Sequence, residues 1–135
     1  MKLKKFLEEY NIEAVLISSS YSLRYFTGFT GTTGIALAFA EKRFFFTDFR
    51  YVAQAKKEVE PKGFTVVKVE RGAVDALAEY IKNSGIKKLG IEDKYVTLSE
   101  YVVYKDKFEG VGFVTLGEAL DKLRMIKTEE EIGYI

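Results

Sequence analysis

Residues 34–40 and 43–47 are two apolar runs separated only by Glu41-Lys42. A connector that short and polar makes an antiparallel hairpin of them. The hairpin constrains everything else, because the second half of the chain alternates helix and strand. Residues 64–69, 88–91 and 111–115 read as strands. Between them, Val74, Leu77, Ala78 and Ile81 form a helical stripe that stops at Asn83-Ser84-Gly85. A second stripe, Leu98, Tyr101, Val102 and Phe108, opens on the capping box Thr97-Leu98-Ser99-Glu100. A sheet that holds both the hairpin and these strands is mixed, which argues against a plain doubly wound nucleotide fold.

The first half is less periodic. Leu3, Phe6, Leu7 and Tyr10 recur at i, i+3, i+4, i+7 and predict a helix over 2–11. Ala14-Val15-Leu16-Ile17 is the continuous apolar run of a strand covered on both faces, ended by Ser18-Ser19-Ser20. Residues 21–33 read as irregular. Asp48 is expected to cap a helix in which Phe49, Val52, Ala53 and Val59 share a side. Pro61 sits in the turn Glu60-Pro61-Lys62-Gly63, and Leu116, Ala119, Leu120 and Leu123 form a last helical stripe. The expected architecture is a three-layer α/β/α domain.

Thr128-Glu129-Glu130-Glu131 is a further capping box, followed by the apolar pair Ile132 and Ile135. A helix of about seven residues falls short of the roughly 12–15 needed for marginal stability alone. The expectation is a first domain over 1–124, with 125–135 a linker and the opening of a second domain.

Composition excludes several chemistries. With 21 basic and 20 acidic residues the net charge is +1, so nothing points to nucleic acid or an anionic membrane as partner. The absence of Cys excludes disulfides and thiolate metal sites. The absence of His excludes a Ser-His-Asp triad, a Cys-His pair and a His-containing zinc site within this chain. No apolar run approaches the roughly 20 residues of a membrane span, and the Lys-rich start lacks the apolar core of a signal peptide. A cytoplasmic location is expected. Carboxylates remain available for Mg²⁺ or acid/base work.

The segment Gly28-Phe29-Thr30-Gly31-Thr32-Thr33-Gly34 suggests a phosphate loop, but it lacks the Lys-Ser/Thr pair and runs into a strand rather than a helix. It reads instead either as a tight, Gly-enabled loop between elements or as a loop kept slender so that it can approach another surface. Arg24-Tyr25-Phe26-Thr27-Gly28-Phe29 precedes it; Arg and Tyr suit ligand rims and interfaces, although such a cluster by itself is more often packing than recognition. Glu92-Asp93 follows a strand beside Lys94 and reads as a solvated turn.

Three segments together carry a resemblance. Ser19-Ser20-Tyr21-Ser22-Leu23-Arg24-Tyr25-Phe26-Thr27-Gly28-Phe29 resembles the "N-x-x-Y-L-T-G-F" segment of the creatinase/prolidase N-terminal domain, although Ser22 and Leu23 stand where that family often has Asn. Phe44-Phe45-Phe46-Thr47-Asp48-Phe49-Arg50-Tyr51 is similar to its "T-D-x-R-Y" corner. Leu123-Arg124-Met125-Ile126-Lys127-Thr128-Glu129-Glu130-Glu131-Ile132 resembles the "LR-x-x-K-s-x-x-E-I" junction with the metallopeptidase domain.

The resemblance implies a ribonuclease-H-like α/β/α layer belonging to an Xaa-Pro dipeptidase or aminopeptidase P relative. It implies two divalent metal ions (Mn, Co or Zn) in the catalytic domain, none in this chain, and no catalytic residue here. It also implies a homodimer in which the loop at 30–33 reaches the partner's active-site mouth. The residues expected at the substrate-pocket rim are Arg24, Tyr25, Phe29, Thr32 and Thr33. The expected partners are the chain's own catalytic domain and an Xaa-Pro peptide. Two alternatives stand beside this: a free-standing interaction module of the same fold, and a carboxylate-only Mg²⁺ site using Asp48, Glu92 and Asp93.

Overall fold

The computed structural model describes residues 3–31, 33–70, 72–116, 118–120 and 122. The junction motif, the terminal capping box and Thr32 lie outside the described residues. The elements run α1 (Leu3–Glu9), β1 (Ala14–Ile17), α2 (Ser20–Thr27), β2 (Ile35–Phe39), β3 (Arg43–Thr47), α3 (Val52–Val59), a 3-10 turn at Glu60–Lys62, β4 (Thr65–Lys68), α4 (Val74–Ser84), β5 (Lys88–Ile91), α5 (Leu98–Lys107) and β6 (Gly112–Thr115).

The strands form one mixed sheet in the order β4-β3-β2-β1-β5-β6. The hairpin predicted around Glu41-Lys42 is present, with Leu37 opposite Phe44, and β1 adds antiparallel to its other side. The β3–β4, β1–β5 and β5–β6 pairs are parallel. Hence β1, β3, β4, β5 and β6 all end at one edge of the sheet, where β2 begins. The segments that follow or precede them there are the start of α2, the loop at 28–34, the corner at 48–51 and the connection at 92–97.

All four residues of β1 are buried, as its unbroken apolar run requires. Val15, Ile17, Ala36, Ala38 and Phe45 face α1, α2 and α3, which contribute Phe6, Leu7, Leu23, Phe26, Ala55 and Val59. Ala14, Leu16, Leu37, Phe46, Leu89 and Ile91 face α4 and α5, which contribute Leu77, Ile81, Tyr104 and Phe108. A fully buried Leu such as Leu77 contributes roughly 1.5–3 kcal/mol of transfer free energy. The three layers match the expectation. The predicted capping box of α5 is formed, with Thr97 Oγ1 accepting from Glu100 N–H at 3.1 Å and Glu100 Oε1 accepting from Thr97 N–H at 2.8 Å.

Two local readings are corrected. Residues 20–27 are helical rather than irregular. Asp48 does not cap α3: the residue before Val52 is Tyr51, which makes no side-chain cap bond. Asp48 closes a turn instead, its carbonyl accepting from Tyr51 N–H at 3.1 Å. The aliphatic stripe assumed for that helix fails accordingly, since Phe49 is 74% exposed and only Ala55 and Val59 of α3 are buried.

Candidate functional site

Helix α2 carries the first two rim candidates. Ser19 caps it from extended backbone, its Oγ accepting from Ser22 N–H at 3.1 Å. Leu23, Phe26 and Thr27 are buried, at i, i+3 and i+4. Gly28, at φ 82°, ends the helix by donating its N–H to Arg24 C=O. With that face packed, Arg24 is exposed and Tyr25 is half-buried, its ring edge-on to Phe26 at 4.9 Å.

The loop after α2 is clamped at three points. Phe29 is 2% exposed, with its ring 4.6 Å from Phe45 and 6.1 Å from Tyr51. This corrects its place among the rim residues: Phe29 is a core wedge under the loop and presents nothing to a ligand. Thr30 donates its N–H and hydroxyl to the two carboxylate oxygens of Glu58 at 2.9 and 2.7 Å, and Gln54 donates to both residues. These bonds, the Thr30 N–H foremost, hold the Glu58 carboxyl below the usual carboxylate range. Farther on, the Thr33 carbonyl accepts from Thr47 Oγ1 at 2.6 Å. Gly34 is required here by close approach, since a Cβ would lie 2.3 Å from Phe45 Cζ. The Thr33 side chain stays exposed.

Beside the loop stands the corner that follows β3. Asp48 accepts from Arg50 N–H at 2.9 Å and from its guanidinium at 3.1 and 2.8 Å. The Arg50 side chain, above all, keeps Asp48 below the ordinary carboxylate range. Arg50 also lies over the Tyr51 ring at 5.4 Å. A shallow depression of about 210 Å³ separates loop from corner, lined by Thr33, Gly34, Thr47, Asp48 and Val69 among others.

The residue that sequence reasoning missed is Glu92. It is 1% exposed, not a solvated turn. Its carboxylate accepts from Ser18 N–H, Ser19 N–H, Ser19 Oγ and Ser22 Oγ. No local signal marks it, because its partners lie 70 or more residues away. With Glu92 engaged by serines and Asp48 by Arg50, the proposed Mg²⁺ trio does not assemble. Among the described residues no group of three or more His, Cys, Asp or Glu side chains could hold a metal ion.

Comparison with known proteins adds the following. The family model for the creatinase/prolidase N-terminal domain matches residues 1–126. The chain is 37% identical over 134 residues to the uncharacterized peptidase YqhT of Bacillus subtilis, covering 99% of this chain and 37% of that protein. It is 33% identical to the Xaa-Pro dipeptidase of Pyrococcus furiosus, covering 99% of this chain and 36% of that one. Among solved structures, an Xaa-Pro dipeptidase from Bacillus anthracis superposes with a TM-score of 0.83 at 34% identity, over 90% of this chain and 34% of that one. The N-terminal domain of the cytoplasmic peptidase PepQ from Mycobacterium tuberculosis superposes with a TM-score of 0.80 at 29% identity, over 90% and 95%. The chain thus spans between 24% and 37% of the length of the curated relatives it matches. Among the described residues no helix is long and apolar enough to cross a membrane.

Proposed function

The chain belongs to the creatinase/prolidase N-terminal domain family, and from that membership we propose that it is the non-catalytic N-terminal domain of a metal-dependent Xaa-Pro peptidase. Residues 1–124 are the domain, and 125–135 lead into the metallopeptidase domain. The two divalent ions, Mn, Co or Zn, are assigned in this reading to that second domain. When bound there they supply Lewis-acid chemistry at the carbonyl before proline.

This chain's part is to wall the pocket. The observation that carries the reading is the clamped loop that leads to the carboxyl end of the sheet at Gly34 and follows the exposed Arg24 and half-buried Tyr25 of α2. A wall that limits peptide length has to hold its shape against the substrate, and three independent anchors give it that stiffness. Arg24, Tyr25 and Thr33 are the proposed rim, Thr32 is assigned to it by the resemblance alone, and Phe29 packs beneath the loop on Phe45 and Tyr51. The assembly is a homodimer in the cytoplasm, whose rim faces the partner's substrate.

The interaction-module reading draws on exposed apolar side chains: Tyr21, Phe49 and Leu98 are 68%, 74% and 80% exposed. Activity separates the two. The chain alone, and the chain continued into a metallopeptidase domain, are assayed on Xaa-Pro dipeptides with Mn²⁺ or Co²⁺. Turnover by the longer protein only is expected. Turnover by the chain alone refutes the non-catalytic role, and none by either refutes the peptidase assignment.

A further inference from the structure

Strands β1 and β5 lie side by side and parallel, and the chain leaves them in opposite directions, through α2 toward β2 and through α5 toward β6. Open α/β sheets place ligands in the crevice at such a point. Here the crevice is filled from within by Glu92. Its Oε1 accepts from Ser18 N–H at 2.8 Å and Ser19 N–H at 3.0 Å, and its Oε2 accepts from Ser19 Oγ at 2.9 Å and Ser22 Oγ at 2.6 Å. Those donors take up the roughly four lone-pair sites of a carboxylate. Two of the three serines are also elements of the α2 start, Ser19 as its cap and Ser22 as the donor to that cap. A negative charge at this end of the helix is favoured by its dipole.

We propose that Glu92 is the positioning residue for α2. Its carboxylate, projected from the end of β5, is the anion bound at the start of the helix, and it sets the direction of α2 and the placement of Arg24 and Tyr25. The consequence for substrate rests on the rim reading given above; the positioning itself does not.

A buried side chain can also act by filling space alone, and the test separates the two roles. In the whole chain, Glu92→Ala removes the anion and leaves its donors. Ile91→Ala, at a neighbouring buried residue whose side chain carries no polar group, serves as the cavity control. Melting temperature and amide exchange at Leu23 and Gly28, whose N–H groups bond Ser19 and Arg24 carbonyls, are followed with sodium formate and with sodium chloride at equal ionic strength. Glu92→Ala is expected to melt lower and to exchange faster at both amides, and formate to restore both saturably where chloride does not. Ile91→Ala is expected to melt lower with no formate response. Unchanged exchange in Glu92→Ala, or no formate effect on the folded variant, overturns the proposal.

Should Glu92→Ala fail to fold, Glu92→Gln carries the test. It keeps the shape but leaves the Ser19 and Ser22 hydroxyl protons without their acceptor, so faster exchange in α2 is expected and wild-type exchange overturns the proposal. None of these readouts involves peptide hydrolysis, so a negative peptidase assay removes the rim reading and leaves this one standing.

Discussion

Substituting Phe29 by Ala distinguishes a core wedge from a ligand contact. The ring is 2% exposed and touches both Phe45 and Tyr51, so its loss removes buried apolar surface and two aromatic contacts. Burial of a Phe side chain contributes roughly 1.5–3 kcal/mol, and each well-placed ring pair adds about 0.5–1.5 kcal/mol. Phe45 and Tyr51 sit on separate elements, β3 and the turn before α3, so the cavity cannot close by moving one side chain. The expected cost is about 3–5 kcal/mol, the usual range for such a truncation. For a domain of this size that lowers the melting temperature by roughly 11–18 °C. Urea unfolding followed by circular dichroism measures it. Arg24→Ala, on the exposed side of α2, is expected to stay within about 0.5 kcal/mol of wild type. If Phe29→Ala costs less than about 1 kcal/mol, the ring is not holding the loop down, and the clamped-wall argument fails at its first anchor.

Gly90→Ala would place a Cβ 2.0 Å from Leu116 Cδ1 and 2.9 Å from Ile12 Cδ1, so overpacking of about 1–3 kcal/mol is expected in urea unfolding. Its combination with Leu116→Ala should cost less than the sum of the singles, and strict additivity counts against the clash. Thr97→Ala breaks the capping box of α5 and should lower stability by about 0.5–2 kcal/mol in the same experiment. Glu58 has a folded pKa below its ordinary value of 4.5, so the stability it lends is present above that value and lost as the pH falls through the lower one. Amide exchange at Thr30 should therefore accelerate, relative to the other loop amides, only below about pH 4.5, and Glu58→Gln should abolish that dependence.

Much of this fold is legible in the sequence because its signals are local. The hairpin at Glu41-Lys42, the capping box at Thr97 and the stop at Gly85 are each written in a few adjacent residues. Helix α2 does not stand out in the sequence although Ser19, Leu23, Phe26 and Gly28 supply a cap, a stripe and a stop. Its eight residues are too short for periodicity to stand out beside a Gly-rich loop. Asp48 looked like a cap because Asp favours that position, yet Arg50 two residues on offers both backbone and guanidinium donors and wins it for a turn. Phe29 looked like a rim residue because it belongs to a recognisable segment, and nothing local says whether an aromatic beside a glycine faces in or out.

The bonds that shape the candidate site belong to a different category. Thr33 is tied to Thr47 across 14 residues, Thr30 to Glu58 across 28, and Ser19 to Glu92 across 73. Ser19–Glu92 and Thr33–Thr47 join segments at the carboxyl edge of the sheet, while Thr30–Glu58 ties the loop to the far end of α3 beside the start of β4, so each depends on strand order and helix packing and not on neighbouring sequence. Strand order also explains why the missed residue is an acid. Where β1 and β5 meet, the start of α2 turns N–H groups and serine hydroxyls into a closed space, and unpaired buried donors there would each cost about 1–3 kcal/mol. A carboxylate from the adjacent strand satisfies four of them at once. The stiffness that a pocket wall requires is thus set by topology first, and by the residues of the recognisable segments only within the frame it provides.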